Sequence, residues 1–146
     1  MADIRLAQLA DMPAIAPLQQ STEETHWPAS MMQECIEHGQ CWLAVEQGMV
    51  AAFAVFSQVL DEAELLNIAV APAWRRHGLA RLLITTVLGR LQGACVIRRC
   101  FLEVAADNAA ALALYRRLGF QSLSIRKNYY PSGSGHRDAI VMCLEL

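Results

Sequence analysis

The stretch that decides the fold of this chain reads NIAVAPAWRRHGLAR and covers residues 67–81. Its first half is apolar and extended as far as Pro72, which cannot donate to a strand ladder. Its second half opens a helix with Gly78 and Ala80 in the first turn. Small residues there let the backbone approach a ligand, and the unpaired N–H groups and the helix dipole favour an anion. The stretch therefore predicts a strand, a tight turn and a helix that can receive a pyrophosphate.

Three arginines, Arg75, Arg76 and Arg81, flank this turn. Their guanidinium groups could make charge-assisted contacts with phosphate oxygens. The segment has neither the GxxxxGK of a P-loop nor the GxGxxG of a dinucleotide-binding turn. On the pattern alone, an ordinary strand-to-helix turn with exposed arginines remains the alternative.

A second informative stretch reads FLEVAADNAAALALYRRLGF and covers residues 101–120. Strand alternation places Glu103 on the face opposite Leu102 and Val104. A carboxylate in so apolar a strand indicates either a general base beside a cleft or an edge position open to solvent. Tyr115 follows Asn108 by two helical turns, so both can project from one face, although a packed core aromatic is the alternative role for the tyrosine.

Composition and charge limit the possible classes of protein. A chain of 146 residues with 55% hydrophobic and 18% charged residues predicts one compact domain, residues 1–146. Five cysteines without CxxC or zinc-type spacing predict reduced, mostly buried thiols and no metal. A formal net charge of −2 gives no general attraction to nucleic acid. No secretory signal is recognisable and the longest apolar run, Met49 to Phe56, is far below the ~20 residues of a membrane span, so we expect a soluble cytoplasmic protein without membrane contact.

Hydrophobic periodicity and turn residues predict the element order β, α, α, β, β, β, α, β, α, β, β. Gln47-Gly48 separates two strand-like runs and indicates a hairpin. The longest clear helix runs from Gly78 to about Leu91, and an earlier helix starts where Asp11 can cap it. The fold class is therefore α/β, with a mixed sheet flanked by helices.

Together, the two stretches resemble the GCN5-related N-acetyltransferase (GNAT) superfamily. Residues 75–80 match its Q/R-x-x-G-x-G/A signature, and residues 108–120 match its N-x-x-A-x-x-x-Y-x-x-x-G-F pattern. Further stretches, residues 49–56, 60–63, 67–70, 102–104, 126–131 and 138–140, are similar to the bacterial branch that acetylates the N-terminal alanine of a ribosomal protein. The resemblance implies a single-domain GNAT fold: a mixed, mostly antiparallel twisted sheet with a splayed strand pair that forms the acetyl-CoA slot.

The resemblance also implies roles for individual residues. Glu103 would be the general base for the amine and Tyr115 the general acid for the CoA thiolate. Asn108 would contact the cofactor from its helix. The backbone groups expected to pair with pantetheine and polarise the thioester belong to Ile68, Ala69 and Val70. The residues expected to cradle the pyrophosphate are Arg76, His77, Gly78, Leu79, Ala80 and Arg81.

The acceptor is expected to be the N-terminal segment of a protein, ribosomal by the same resemblance. Trp27, Tyr129 and Tyr130 are hypothesised to line its groove, the alternative being a packed hairpin with exposed aromatics. Two departures from the family pattern stand out: Ala80 replaces the commoner last glycine, and Trp27-Pro28 reverses the usual Pro-Trp order. Two other functions remain open: the same fold acting on a small amine or a lysine side chain, and a non-catalytic acyl-CoA-binding module.

Overall fold

In the computed structural model the described residues are 2–20, 27–132 and 135–146, excepting the side chains of residues 20, 130–132 and 136. Seven strands form one sheet: β1 (Asp3–Leu6), β2 (Cys41–Glu46), β3 (Met49–Val59), β4 (Glu62–Val70), β5 (Arg99–Ala105), β6 (Gln121–Ser132) and β7 (Gly135–Glu145). Their order across the sheet is β1-β2-β3-β4-β5-β7-β6. The β4–β5 pair is parallel and the other five neighbouring pairs are antiparallel across the described residues. The predicted mixed, mostly antiparallel sheet is confirmed.

Four helices cover the two faces of the sheet: α1 (Met12–Gln20), α2 (Ala29–Glu37), α3 (Leu79–Ala94) and α4 (Ala109–Arg117). Helices α3 and α4 contribute to one buried apolar cluster, which includes Leu83, Leu102 and Tyr115. Helices α1 and α2 contribute to a second cluster, which includes Ile15 and Phe53. Each face of the sheet therefore has its own core, and alternate residues of the central strands point into each.

The hairpin between β2 and β3 forms where the sequence predicts it. Gln47 and Gly48 have φ values of 52° and 75°, the two positive angles of a type I′ turn. That turn has the twist of the strands it joins, so it fixes the register of the sheet centre.

The start of α1 differs from the prediction. A short 3-10 turn, Leu9–Asp11, precedes the helix, and Asp11 Oδ2 accepts a hydrogen bond from the backbone N–H of Gln8 at 2.8 Å. Arg5 donates to both carboxylate oxygens of Asp11, each at 2.9 Å. Asp11 therefore caps the 3-10 turn and fastens it to β1, because the turn places its carboxylate before α1 rather than at the helix start.

Candidate active site

The sheet opens between β4 and β5. The two strands pair at four positions, Glu62–Leu65 opposite Arg99–Leu102. Beyond these, the register between β4 and β3 shifts so that Leu66 is an extra, unpaired residue, a β-bulge. From there β4 follows β3 to Val70, whereas β5 follows β7 to Ala105. The predicted splayed strand pair is thus present, and the β5-facing edge of residues 66–70 has no partner strand in the described sheet.

The residues expected to bind pantetheine, Ile68, Ala69 and Val70, all lie in this separated part of β4. Ile68 and Val70 pack toward the α3/α4 cluster, and Ala69 lies in the α1/α2 cluster. Arg75 Nε donates to the Val70 carbonyl at 3.2 Å and so ties the strand end to the following turn. The strand is therefore held on one side while its other edge can pair with an extended ligand.

Asn67 lies at the start of the opening, and the sequence pattern does not mark its side chain as a binding group. Its side chain is 4% exposed, and its Nδ2 has no hydrogen-bond acceptor among the described residues. A buried donor without an acceptor costs about 1–3 kcal/mol. Such a group fits a slot that receives a ligand with carbonyl oxygens, as the amide-containing arm of CoA has.

The turn before α3 has the geometry of an anion cradle. Arg76 and Gly78 have φ values of 65° and 75°, and Gly78 is the N-cap of α3 with no side-chain cap among the described groups. A Cβ on Gly78 would meet nothing within 4 Å, so the positive φ rather than space favours glycine. Leu79 is buried and anchors the helix start, whereas Arg76, His77 and Arg81 are exposed. The first-turn N–H groups and three cationic or polar side chains can therefore face an anion, with Ala80 half-buried among them.

Glu103 and Tyr115 lie on opposite faces of the sheet. Leu102 and Val104 point into the α3/α4 cluster, so Glu103, between them, projects to the α1/α2 face. Tyr115 is 6% exposed on the α3/α4 face, and its ring packs edge to face on Phe120 at 5.9 Å between centroids. The carboxylate and the phenol therefore lie on the two sides of the strand opening.

Asn108 has a structural task in addition to the one predicted. It is the N-cap of α4, and its Oδ1 accepts from the Ala111 backbone N–H at 3.2 Å. This bond fixes the helix that carries Tyr115 directly after β5. The predicted contact with the cofactor stays a prediction.

The structure adds Arg126 to the residues around Glu103. Its Nη1 donates to Glu103 Oε1 at 2.5 Å, and its guanidinium carbon lies 4.0 Å from the Tyr129 ring centroid. The hydrogen bond to Glu103 raises the pKa of Arg126, so the guanidinium stays charged. Sequence alternation alone does not reveal this contact, because it joins two strands that are distant in sequence.

Glu64 is a second carboxylate on the face of Glu103. It pairs with Phe101 on β5, two residues before Glu103 and on the same side of that strand. Burial raises the pKa of Glu64, and the negative charge of Glu103 raises it further. Two carboxylates and one guanidinium, those of Glu64, Glu103 and Arg126, therefore lie together on the α1/α2 face next to the start of the opening.

The residues predicted for acceptor binding are only partly described. Trp27 is half-buried against the α1/α2 cluster, the face to which Glu103 projects. Tyr129 is 43% exposed, and its ring lies over Arg126. The backbone of Tyr130 pairs with Arg137, but its side chain lies outside the described residues, as do the side chain of His136 and all of His26.

Comparisons with known proteins agree with this fold. A family model described as the acetyltransferase (GNAT) family matches residues 5–120. The [ribosomal protein bS18]-alanine N-acetyltransferase of Salmonella typhimurium is 39% identical over 149 residues, covering 100% of this chain and 99% of the relative. That of Haemophilus ducreyi is 44% identical over 102 residues, covering 69% and 70%. The crystal structure of the ribosomal-protein-S18-alanine N-acetyltransferase from Escherichia coli has a TM-score of 0.88 and 38% identity, and the match covers 99% of this chain and 94% of that one.

The mixed sheet opens between its central parallel strands, and the turn before the following helix has the geometry of an anion cradle. The chain belongs to the GNAT family of acetyltransferases. Within residues 2–20, 27–132 and 135–146, no group of three or more His, Cys, Asp or Glu side chains could hold a metal ion. In the same described ranges, no helix combines the length and apolar character needed to cross a membrane.

Proposed function

We propose that this protein transfers an acetyl group from acetyl-CoA to the N-terminal α-amine of a protein, with the N-terminal alanine of ribosomal protein bS18 as its acceptor. The observation that carries the proposal is the 39% identity to a bS18-alanine N-acetyltransferase over the whole chain. This similarity includes β6 and β7 and the segment before α2 as well as the cofactor half. An acceptor that belongs to a ribosomal protein places the enzyme in the cytoplasm.

Acetyl-CoA is the acetyl donor. Its pyrophosphate is held by the first turn of α3 and by Arg76 and Arg81, and its pantetheine arm lies along the free edge of residues 66–70. The backbone of Ile68 to Val70 pairs with the arm and polarises the thioester carbonyl, and Asn108 contacts the donor from the start of α4. Peptide groups suit this task because they are fixed by β3 before the ligand arrives.

The acceptor amine attacks the thioester carbon directly. A C–N bond forms and the C–S bond breaks, the amine proton passes to Glu103, directly or through a water, and Tyr115 donates its hydroxyl proton to the departing thiolate. Solvent then returns a proton to Tyr115 and removes one from Glu103. The placement of Glu103 and Tyr115 on opposite sheet faces supports this division, because it lets the acceptor amine reach Glu103 from one face while the thiolate departs toward Tyr115 on the other.

An α-amine is the acceptor that one partly exposed carboxylate serves best. Its unperturbed pKa is about 7.7–8.0, against about 10.4 for lysine, so much of it is already nucleophilic at neutral pH. Acetylation of a lysine side chain or a small amine uses the same donor site and is the rival function. A non-catalytic acyl-CoA-binding module is disfavoured because it has no need of Glu103 and Tyr115 together.

The test is an acceptor panel with purified protein and acetyl-CoA. The panel contains a peptide that copies the first residues of bS18, the same peptide with a blocked N-terminus, and a polyamine. We expect CoA release with the free peptide only, and mass mapping should place the acetyl group on the alanine α-amine. Acetyl on lysine or on the polyamine alone would overturn the acceptor, and absence of CoA release with every acceptor would favour the binding module.

A further inference from the structure

Strand β6 is irregular beside the proposed base. Arg126 pairs with Ala139 on β7 and Tyr130 pairs with Arg137, so residues 127–129 all lie opposite Asp138. Asp138 Oδ1 accepts a hydrogen bond from the Asn128 backbone N–H at 2.9 Å. Asn128 has a φ of 55°, a left-handed conformation that asparagine adopts more readily than most residues. The Asp138 carboxylate therefore stabilises one conformation of the bulge at residues 127–129.

Next to the bulge, the side chains of Glu103 and Tyr129 both contact the Arg126 guanidinium. The Tyr129 ring stacks on Arg126 with 4.0 Å between the guanidinium carbon and the ring centroid. At the same time Arg126 Nη1 donates to Glu103 Oε1 at 2.5 Å. A planar guanidinium can do both, because its donors lie in its plane and its face is free to stack. Arg126 thus contacts both the proposed proton acceptor and an aromatic of the proposed acceptor groove.

Arg126 also offsets the negative charges of Glu103 and a neighbouring carboxylate. Glu64 faces Glu103 from β4, Arg126 faces it from β6, and the residue opposite it on β7 is Val141, which is apolar. Without the guanidinium, the Glu64 and Glu103 carboxylates would face each other with no cation between them among the described residues. The ion pair fixes Glu103 through Oε1, and Oε2 has no hydrogen-bond partner among the described residues.

We propose that Arg126 is a positioning residue that couples acceptor binding to proton transfer. It holds the Glu103 carboxylate through Oε1, leaves Oε2 for the amine proton, and orients the Tyr129 ring along the acceptor groove. This inference rests on the proposed function, in which Glu103 is the base. An acceptor that moves the Tyr129 ring also moves Arg126 and so shifts the Glu103 carboxylate. An acceptor that leaves the ring in place keeps Glu103 in position.

The alternative role for Arg126 is stability alone. Its side chain is 49% exposed and that of Glu103 is 29% exposed. Ion pairs with such exposure contribute little to folding, because water and salt screen them. Loss of Arg126 should therefore hardly change the thermal midpoint, so an effect on activity can be separated from an effect on folding.

The test compares Arg126→Gln and Arg126→Lys, with Lys127→Gln as the matched control. Lys127 is the exposed neighbour in the same bulge, so the control removes one positive charge at almost the same place. We expect Arg126→Gln to lower kcat roughly 10- to 100-fold and to raise the KM for the bS18 peptide, while the KM for acetyl-CoA and the thermal midpoint stay unchanged. In Arg126→Lys, kcat should return closer to the value of the unmodified protein than the KM for the peptide does. The lysine ammonium restores the positive charge beside Glu103, but it cannot stack on the Tyr129 ring as a planar guanidinium does.

A double-mutant cycle with Glu103→Gln tests whether Arg126 acts through the base. In the Glu103→Gln background, Arg126→Gln should lower kcat by less than twofold, since the group it positions is gone. Equal loss in both backgrounds, a loss shared by Lys127→Gln, or a loss that follows the thermal midpoint would overturn the proposal. An unmodified protein that does not acetylate the peptide would instead overturn the proposed function, which distinguishes the two failures.

Discussion

At the scale of single residues, Glu103 can be tested against a neighbouring carboxylate. We expect Glu103→Gln to lower kcat about 10²- to 10³-fold with little change in the KM for acetyl-CoA, because only proton transfer from the amine is impaired. Glu62→Gln is the control: Glu62 is exposed and lies on β4 at the closed end of the strand pair, 3.8 Å from Arg99. Steady-state rates of CoA release with the bS18 peptide measure both. Turnover by Glu103→Gln equal to that of Glu62→Gln would remove Glu103 from the mechanism.

The position of a residue could be predicted from the sequence where it depends on a single strand or helix. Alternation along residues 101–105 is enough to place Glu103 opposite Leu102 and Val104, and the structure confirms that placement. Arg126 could not be predicted, because its contact with Glu103 depends on the β5–β7 and β7–β6 registers and on a bulge. Its position 23 residues from Glu103 along the chain carries no signal of proximity.

At the scale of elements, turn chemistry is a reliable guide, whereas the predicted N-cap of α1 is not found. The Gln47-Gly48 hairpin can be predicted because few residue pairs adopt the two positive φ angles of a two-residue turn. The prediction that Asp11 caps α1 was wrong, because a 3-10 turn inserted before the helix takes that carboxylate. The sequence does not show which turn Asp11 caps; in the structure its carboxylate accepts hydrogen bonds from Arg5 and from the Gln8 backbone N–H.

This junction yields a prediction for stability. Asp11→Asn should lower the free energy of unfolding by about 1 kcal/mol at pH 7, because it breaks the ion pair with Arg5 and weakens the bond from Gln8. The hydrogen bond from Arg5 lowers the pKa of Asp11, and the bond from Gln8 and the Arg5 charge lower it further against the effect of burial. A carboxylate with a lowered folded pKa stabilises above its unfolded pKa, and that contribution disappears as pH falls through the folded value.

Urea denaturation at pH 7 and at a series of acidic pH values measures the effect. The difference between the unmodified protein and Asp11→Asn should be present at pH 7 and should shrink as the pH falls through the folded pKa of Asp11. Asp3→Asn is the control, since Asp3 is an exposed carboxylate on the same strand as Arg5. A difference that persists unchanged in acid would show that the carboxylate charge contributes nothing.

At the scale of the whole molecule, the opening divides the sheet into β1–β4 and β5–β7, joined by four paired positions. The sequence predicts the elements and the helices on both faces, and the family resemblance implies the opening. The place where the opening starts could not be predicted from local signals. The bulge at Leu66 has no glycine or proline to mark it, and it is fixed only by the register against β3.

Because the opening is the joint between the two halves, donor binding should stabilise the molecule as a whole. Acetyl-CoA at 100 times its Kd should add about 2.7 kcal/mol to the free energy of unfolding, so the thermal midpoint should rise with its concentration. Hydrogen exchange should slow most at residues 66–70, at the first turn of α3 and at residues 103–105, which border the opening. Arg81→Gln, beside the anion-binding turn, should reduce the midpoint shift, whereas Arg117→Gln, exposed at the end of α4, should leave it unchanged. A midpoint that does not respond to millimolar acetyl-CoA, or slower exchange confined to α3, would mean that the donor does not bridge the two halves of the sheet.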